Sequence, residues 1–201
     1  MNIFRRLGLI MWASAFIMLN APAFAQADKT SAAHFTQALV DELSDVANDA
    51  SLSESARNSG YRTVLKDNLA TQSIGKFLFK GAPTELANET QKSAYQTLFP
   101  DFIAAAFADE IGGLAERDIE IKRSLVRSET EAIVQSHLVD NAGRKKASID
   151  WRLRWVDGEP RLLDVLVERV SPLVTKRQEF SSLAKRDGVD ALLDYMKGVS
   201  Q

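Results

Sequence analysis

From Ser31 to Ile111 the apolar side chains recur every three or four positions, the spacing of a helix face. Phe35, Leu39, Leu43 and Val46 define a first helix. Ser53, followed by Ala56, Tyr61, Val64 and Leu65, opens a second, weakened by Gly60. Ile74, Phe77, Leu78 and Phe79 read as a short apolar turn ending at Gly81-Ala82-Pro83. A long helix follows, with Asn88 as N-cap and Gln91 three residues on. Its apolar positions run from Tyr95 through Phe99, Phe102, Ile103 and Phe107. Pro100 removes one backbone donor inside it, and Gly112-Gly113 is expected to stop it.

After Asp118 the period switches to two. Ile119, Ile121 and Leu125 form one alternating run, and Ala132, Val134, Ser136 and Leu138 a second. In the third, Ala147, Ile149, Trp151, Leu153 and Trp155 share a face, while Ser148, Asp150, Arg152 and Arg154 take the other. Leu163, Val165 and Val167 continue the apolar face beyond the turn Asp157-Gly158-Glu159-Pro160. Four strands joined by short turns predict an antiparallel meander with one polar face. Its apolar face needs cover, which the flanking helices supply. One or two closing helices are expected around Gly188. The fold class predicted is α+β: a curved, antiparallel four-stranded sheet covered by helices, with an apolar cavity between the layers.

The N-terminus has its own pattern. Arg5-Arg6 precede thirteen uncharged residues, Leu7 to Leu19, and then Ala23-Phe24-Ala25. A basic start, a short apolar stretch and a small-x-small site describe a cleaved Sec signal peptide, residues 1–25. Thirteen residues are too few to span a hydrocarbon core of about 30 Å. Taking 25 residues from the 201 leaves a single domain of 176, residues 26–201. Without Arg5 and Arg6, 23 basic groups face 27 acidic ones, so the net charge moves from −2 to −4. That balance gives no reason to bind nucleic acid. With no cysteine, disulfides, thiolate sites and a lipoprotein anchor are all excluded. The expected compartment is the periplasm.

No catalytic constellation emerges. His34 and His137 lie in different elements, without ligand-spaced partners for a metal. There is no Gly-x-Ser-x-Gly elbow and no phosphate-binding glycine loop. Asp164 is a lone strand carboxylate, for which Arg152 or Arg154 could serve as partner. Arg144-Lys145-Lys146 reads as a solvated hairpin end. The expectation is no enzyme, no cofactor and no metal. What stands out is apolar bulk, and a cavity between sheet and helices would suit a lipid tail at about 0.8 kcal/mol per buried methylene.

The order of elements, the segment Ile74-Gly75-Lys76-Phe77-Leu78-Phe79-Lys80-Gly81, and the run SIDWRLRWVDGEPRLLDVLVERVS from Ser148 to Ser171 resemble the MlaC-type periplasmic phospholipid-binding proteins. These are also known as the toluene-tolerance auxiliary family. The resemblance spans Phe35 to Met196. It departs from the family pattern at Arg169, where a glycine is usual before Val-Ser, and near Ala105 to Ala108, where a tyrosine is common. It implies a soluble, monomeric carrier that holds phospholipid acyl chains. Its partners would be an inner-membrane ABC transporter complex and an outer-membrane lipoprotein complex. The expected lipid-binding residues are Phe102, Ile103 and Phe107 from the long helix, with Val134, Ile149, Trp151, Leu153, Leu163, Val165 and Val167 from the strands. Alternatives are an envelope adaptor of the same fold that carries no lipid, or a member of the family linked to hopanoid synthesis.

Overall fold

The computed structural model describes residues 26–115 and 117–201. The expected signal peptide, residues 1–25, lies outside the described residues.

Among the described residues five helices precede the sheet. They are α1 (Lys29–Asn48), α2 (Glu54–Asn68), α3 (Thr71–Phe79), α4 (Ala82–Leu86) and α5 (Glu89–Ala115). Asp28 caps α1 by accepting from the amides of Thr30 and Ser31, and Ser53 caps α2. At the head of α5 the Asn88 carboxamide accepts from the Gln91 amide (2.9 Å), and the Gln91 side chain accepts from the Asn88 amide (3.0 Å). This reciprocal pair is the expected capping box.

Two expectations need correction. The segment around Ile74 is a helix of nine residues, not a turn; Ile74 and Leu78, one helical turn apart, are both fully buried. The Gly112-Gly113 pair does not stop α5, which continues to Ala115. Each mid-helix glycine costs about 1 kcal/mol relative to alanine. Burial of Ile111 and Ala115 on either side of the pair outweighs that.

The sheet has the order β1-β2-β3-β4, all antiparallel: Ile119–Ser128, Glu131–Val139, Lys145–Val156 and Glu159–Val167. Asp157 and Gly158 both have positive φ (52° and 88°), the backbone that a two-residue hairpin between β3 and β4 requires. On the inner face Val134 pairs with Trp151, and Trp151 with Val165. On the polar face Arg154 pairs with Glu131 at 2.8 Å, and the Gln135 side chain donates to Asp150 at 3.1 Å.

One strand departs from strict alternation. Arg152 pairs with Asp164, but Leu153 pairs with Leu162, so Leu163 is the extra residue of a bulge. Leu162, not Leu163, therefore sits opposite Leu153 on the inner face. The period-two expectation for Leu163 is corrected by this one-residue shift.

The closing element, α6 (Pro172–Ser200), is two helical segments meeting at Gly188, where φ is 86° and ψ 170°. That backbone is essentially confined to glycine. Phe180, Leu192 and Met196, from both segments, are fully buried in the common core.

Candidate functional site

The deepest layer of the core is filled. Trp151 is fully buried and its indole N–H donates to Ser136 Oγ at 2.9 Å. Ser136 in turn donates to the Ile149 carbonyl at 3.2 Å, so both polar groups of this dry region are satisfied. Elsewhere in the core Phe102 of α5 and Phe180 of α6 pack with ring centroids 5.4 Å apart. Aromatic pairs at such distances add to the burial energy of the rings.

A seam opens at the edge of this layer, where α5, β4 and the start of α6 meet. From α5 it is lined by Ile103, Ala106, Phe107, Glu110, Ile111 and Leu114, one face of the helix at i, i+3, i+4, i+7 spacing. Val165 and Val167 line it from β4, and Pro172, Leu173 and Lys176 from α6. All but Glu110 and Lys176 are apolar. The free space is about 40 Å³, little more than one water's share of the liquid. Drug-sized ligands occupy sites of about 300–1,000 Å³. A long apolar ligand therefore requires α5 and α6 to part.

Of the ten residues expected to bind lipid, Ile103, Phe107, Val165 and Val167 meet at this seam. Phe102, Val134, Ile149, Trp151 and Leu153 are instead packed in the filled layer, each no more than 1% exposed. Leu163 lies at the bulge, buried in the same core.

The wall formed by α6 is anchored through a contact that sequence reasoning missed. Ser171 is the N-cap of α6: its Oγ accepts from the Val174 amide (3.1 Å) and donates to Asp164 Oδ2 (2.6 Å). Asp164 Oδ1 accepts from the Val165 amide at 3.0 Å. Asp164 is fully buried, while Arg152 stands 3.8 Å away with its side chain 38% exposed. Burial raises the Asp164 pKa above the ordinary carboxylate value; the Ser171 hydrogen bond and the Arg152 charge offset only part of that. The expected arginine partner, Arg152, is present across the strands, but the closest side-chain donor is a serine seven residues along. It is reached through a turn in which Glu168 (φ 48°) and Arg169 (φ 68°) both adopt left-handed backbone. Such backbone costs a non-glycine residue about 1–2 kcal/mol.

Two wider grooves flank the seam. One, of about 590 Å³, runs between α3 and α5 over Phe79, Tyr95 and Phe99, with Lys76 and Lys92 among its lining residues. Tyr95 stacks on Phe79 at 4.0 Å and donates to the Gly75 carbonyl at 3.0 Å; its burial raises the hydroxyl pKa. The other, of about 600 Å³, lies between the two segments of α6 and includes Lys176, Glu179, Arg186 and Tyr195. Lys176 Nζ contacts Glu179 at 2.8 Å and Tyr195 Oη at 3.2 Å. Burial pulls the Lys176 pKa down, but the Glu179 and Tyr195 contacts outweigh it and the net shift is upward.

His34 is exposed, and among the described residues no three potential ligands cluster as a metal site would require. No helix among them is long and apolar enough to cross a membrane.

A family model described as MlaC protein matches residues 34–198. Among solved structures, the chain is similar to the phospholipid-binding protein from Ralstonia solanacearum, solved in complex with a phospholipid. The TM-score is 0.63 and the identity 16%, over 83% of this chain and 95% of that one. At that identity the likeness speaks to the fold: the same helix-covered, four-stranded α+β architecture.

Proposed function

Because the chain belongs to the MlaC family, we propose that it is a periplasmic carrier that binds phospholipid by its acyl chains. The observation that carries this reading is the seam between α5, β4 and α6. Its lining is apolar except at Glu110 and Lys176, and it sits at the sheet edge. The phospholipid held by the Ralstonia relative supports the same ligand class.

The energetics are compatible. One acyl chain of about 16 methylenes gains roughly 13 kcal/mol on burial at about 0.8 kcal/mol each. Ordering the ligand and parting α5 from α6 oppose that gain. That gain is counted from water; against a bilayer, where the tail is already buried, it largely cancels, so exchange requires the seam to open at low cost. Ile103, Phe107, Val165 and Val167 are the proposed tail contacts. The other six residues of the original set support them from the core. The headgroup stays toward solvent, and no bond of the lipid is made or broken.

In this reading residues 1–25 direct export and are removed, leaving residues 26–201 as one lipid-binding domain. The carrier works as a monomer, exchanging lipid between an inner-membrane ABC transporter complex and an outer-membrane lipoprotein complex. The test is lipid extraction and native mass spectrometry of the exported protein, followed by incubation with phospholipid vesicles. Co-purified phospholipid, or uptake at about one lipid per chain, is expected. A protein that carries none and takes up none overturns the reading.

A further inference from the structure

The apolar seam and the polar groove between the two segments of α6 share one lining residue, Lys176. A phospholipid with its tails in the seam must place its phosphate where apolar lining gives way to polar lining. Lys176 occupies that boundary. Its ammonium has three N–H donors; contacts to Glu179 (2.8 Å) and Tyr195 Oη (3.2 Å) engage two. The third is available to an anionic oxygen without breaking either contact.

The surrounding charges decide which headgroup fits. Glu110 is exposed on the α5 wall of the seam and makes no salt bridge among the described residues. Glu179 stands against Lys176 itself. Arg186, in the same groove, is engaged by Asp187 at 2.7 Å. Arg177, beside Lys176 in sequence, lies 4.8 Å over the Phe77 ring. The boundary therefore offers one cation for a phosphate and two carboxylates with room for a second cation. An anionic headgroup meets Glu110, unpaired among the described residues, and a Glu179 whose partner, Lys176, it must share with the phosphate. A zwitterionic headgroup places its ammonium beside them.

Resting on the carrier reading, we infer that Lys176 binds the lipid phosphate, and that Glu110 and Glu179 select zwitterionic over anionic phospholipids. Partly exposed ion pairs contribute about 0.2–1 kcal/mol each. The expected preference is accordingly modest, about threefold.

The experiment loads the protein from vesicles of equal phosphatidylethanolamine and phosphatidylglycerol, then quantifies bound lipid by extraction and mass spectrometry. The wild type should enrich phosphatidylethanolamine about threefold over the vesicles. The double variant Glu110→Gln/Glu179→Gln should return the ratio to about one. Lys176→Gln should lower total occupancy at limiting vesicle concentration, and Lys176→Arg should restore it, with circular dichroism confirming that each variant is folded. A wild type that takes both lipids equally, or Lys176→Gln with undiminished occupancy, overturns the inference and leaves the carrier reading standing. A wild type that takes up neither lipid overturns both.

Discussion

The layer under β2 and β3 and the seam along β4 are both apolar, both formed by strands facing helices, and physically different. In the first, Trp151 is sealed among Val134, Val165 and the rest of the inner face, and its indole N–H is satisfied by Ser136. In the second, aliphatic side chains of β4 and the start of α6 meet α5 along the rim of the sheet, and the Phe102–Phe180 contact ties the same two helices together beyond it. Interiors hold together by close packing as much as by being apolar. The layer around Trp151 cannot open without losing packing and a hydrogen bond that nothing replaces. The seam can open if a ligand's methylenes replace the contacts that are lost.

The largest contrast should come from placing a carboxylate in each region. Leu153→Glu puts an unpaired charge in the filled layer, where the leucine is 1% exposed. An unpaired buried charge is costly enough to rival the whole stability of a domain, about 5–15 kcal/mol. That variant should fail to fold. Val165→Glu places the same group in the seam, whose lining includes Lys176 as a counter-ion. It should stay folded and lose at least nine-tenths of its bound lipid. Circular dichroism and lipid extraction read both outcomes. If both variants unfold, the seam is as tightly filled as the core and the comparison collapses.

Truncation gives a smaller, graded version. Trp151→Phe keeps most of the ring but removes the donor to Ser136 and leaves a void, for about 1–3 kcal/mol of lost stability by urea unfolding. Val167→Ala, at the half-buried lip of the seam, should cost about 1 kcal/mol or less because the walls can close over it. Equal costs would mean that the two regions relax alike.

The regions should also differ in their response to pH. Asp164 anchors the α6 wall through Ser171, and its folded pKa is raised, chiefly by burial. The folded state therefore holds its proton more tightly than the unfolded chain does. The Asp164 contribution to stability is fully present below the ordinary value of 3.8 and declines as pH rises through the folded pKa. Asp164→Asn should remove that decline from a series of urea unfolding curves taken upward from about pH 4. Tyr95, in the aromatic cluster beside the core, has its pKa pushed further up and stays neutral throughout. A slope that persists in Asp164→Asn would assign the pH dependence to another group.

Much of this architecture was legible because periodicity reports which face of an element is buried. Ile149, Trp151, Leu153 and Trp155 alternate in the chain and lie on one face in the structure. Periodicity does not report where along a face the packing is incomplete. It therefore grouped Trp151 and Leu153 with Val165 and Val167, although only the last two border the seam. The bulge at Leu163 is hidden for a related reason: Leu162 and Leu163 are both apolar, so the sequence does not say which of them faces Leu153 while the register slips. The Asp164–Ser171 anchor depends on two left-handed residues, Glu168 and Arg169, that carry no glycine to announce them.

The smallest effect tests whether the seam depends on the end of α5 being loose. Gly113 is exposed in that helix, and a Cβ built there meets nothing within 4 Å. Alanine restricts the unfolded chain without straining the folded one, so Gly113→Ala should raise stability by about 0.4–1 kcal/mol. Leu114, its neighbour, lines the seam, whereas Gly113 does not. If parting is a rigid displacement of α5 from α6, a stiffer helix end leaves lipid uptake unchanged while the unfolding midpoint rises. If uptake slows in step with the gain in stability, the last turn of α5 must unwind to admit a tail. The seam would then open by local melting of that turn rather than by separation of two intact walls.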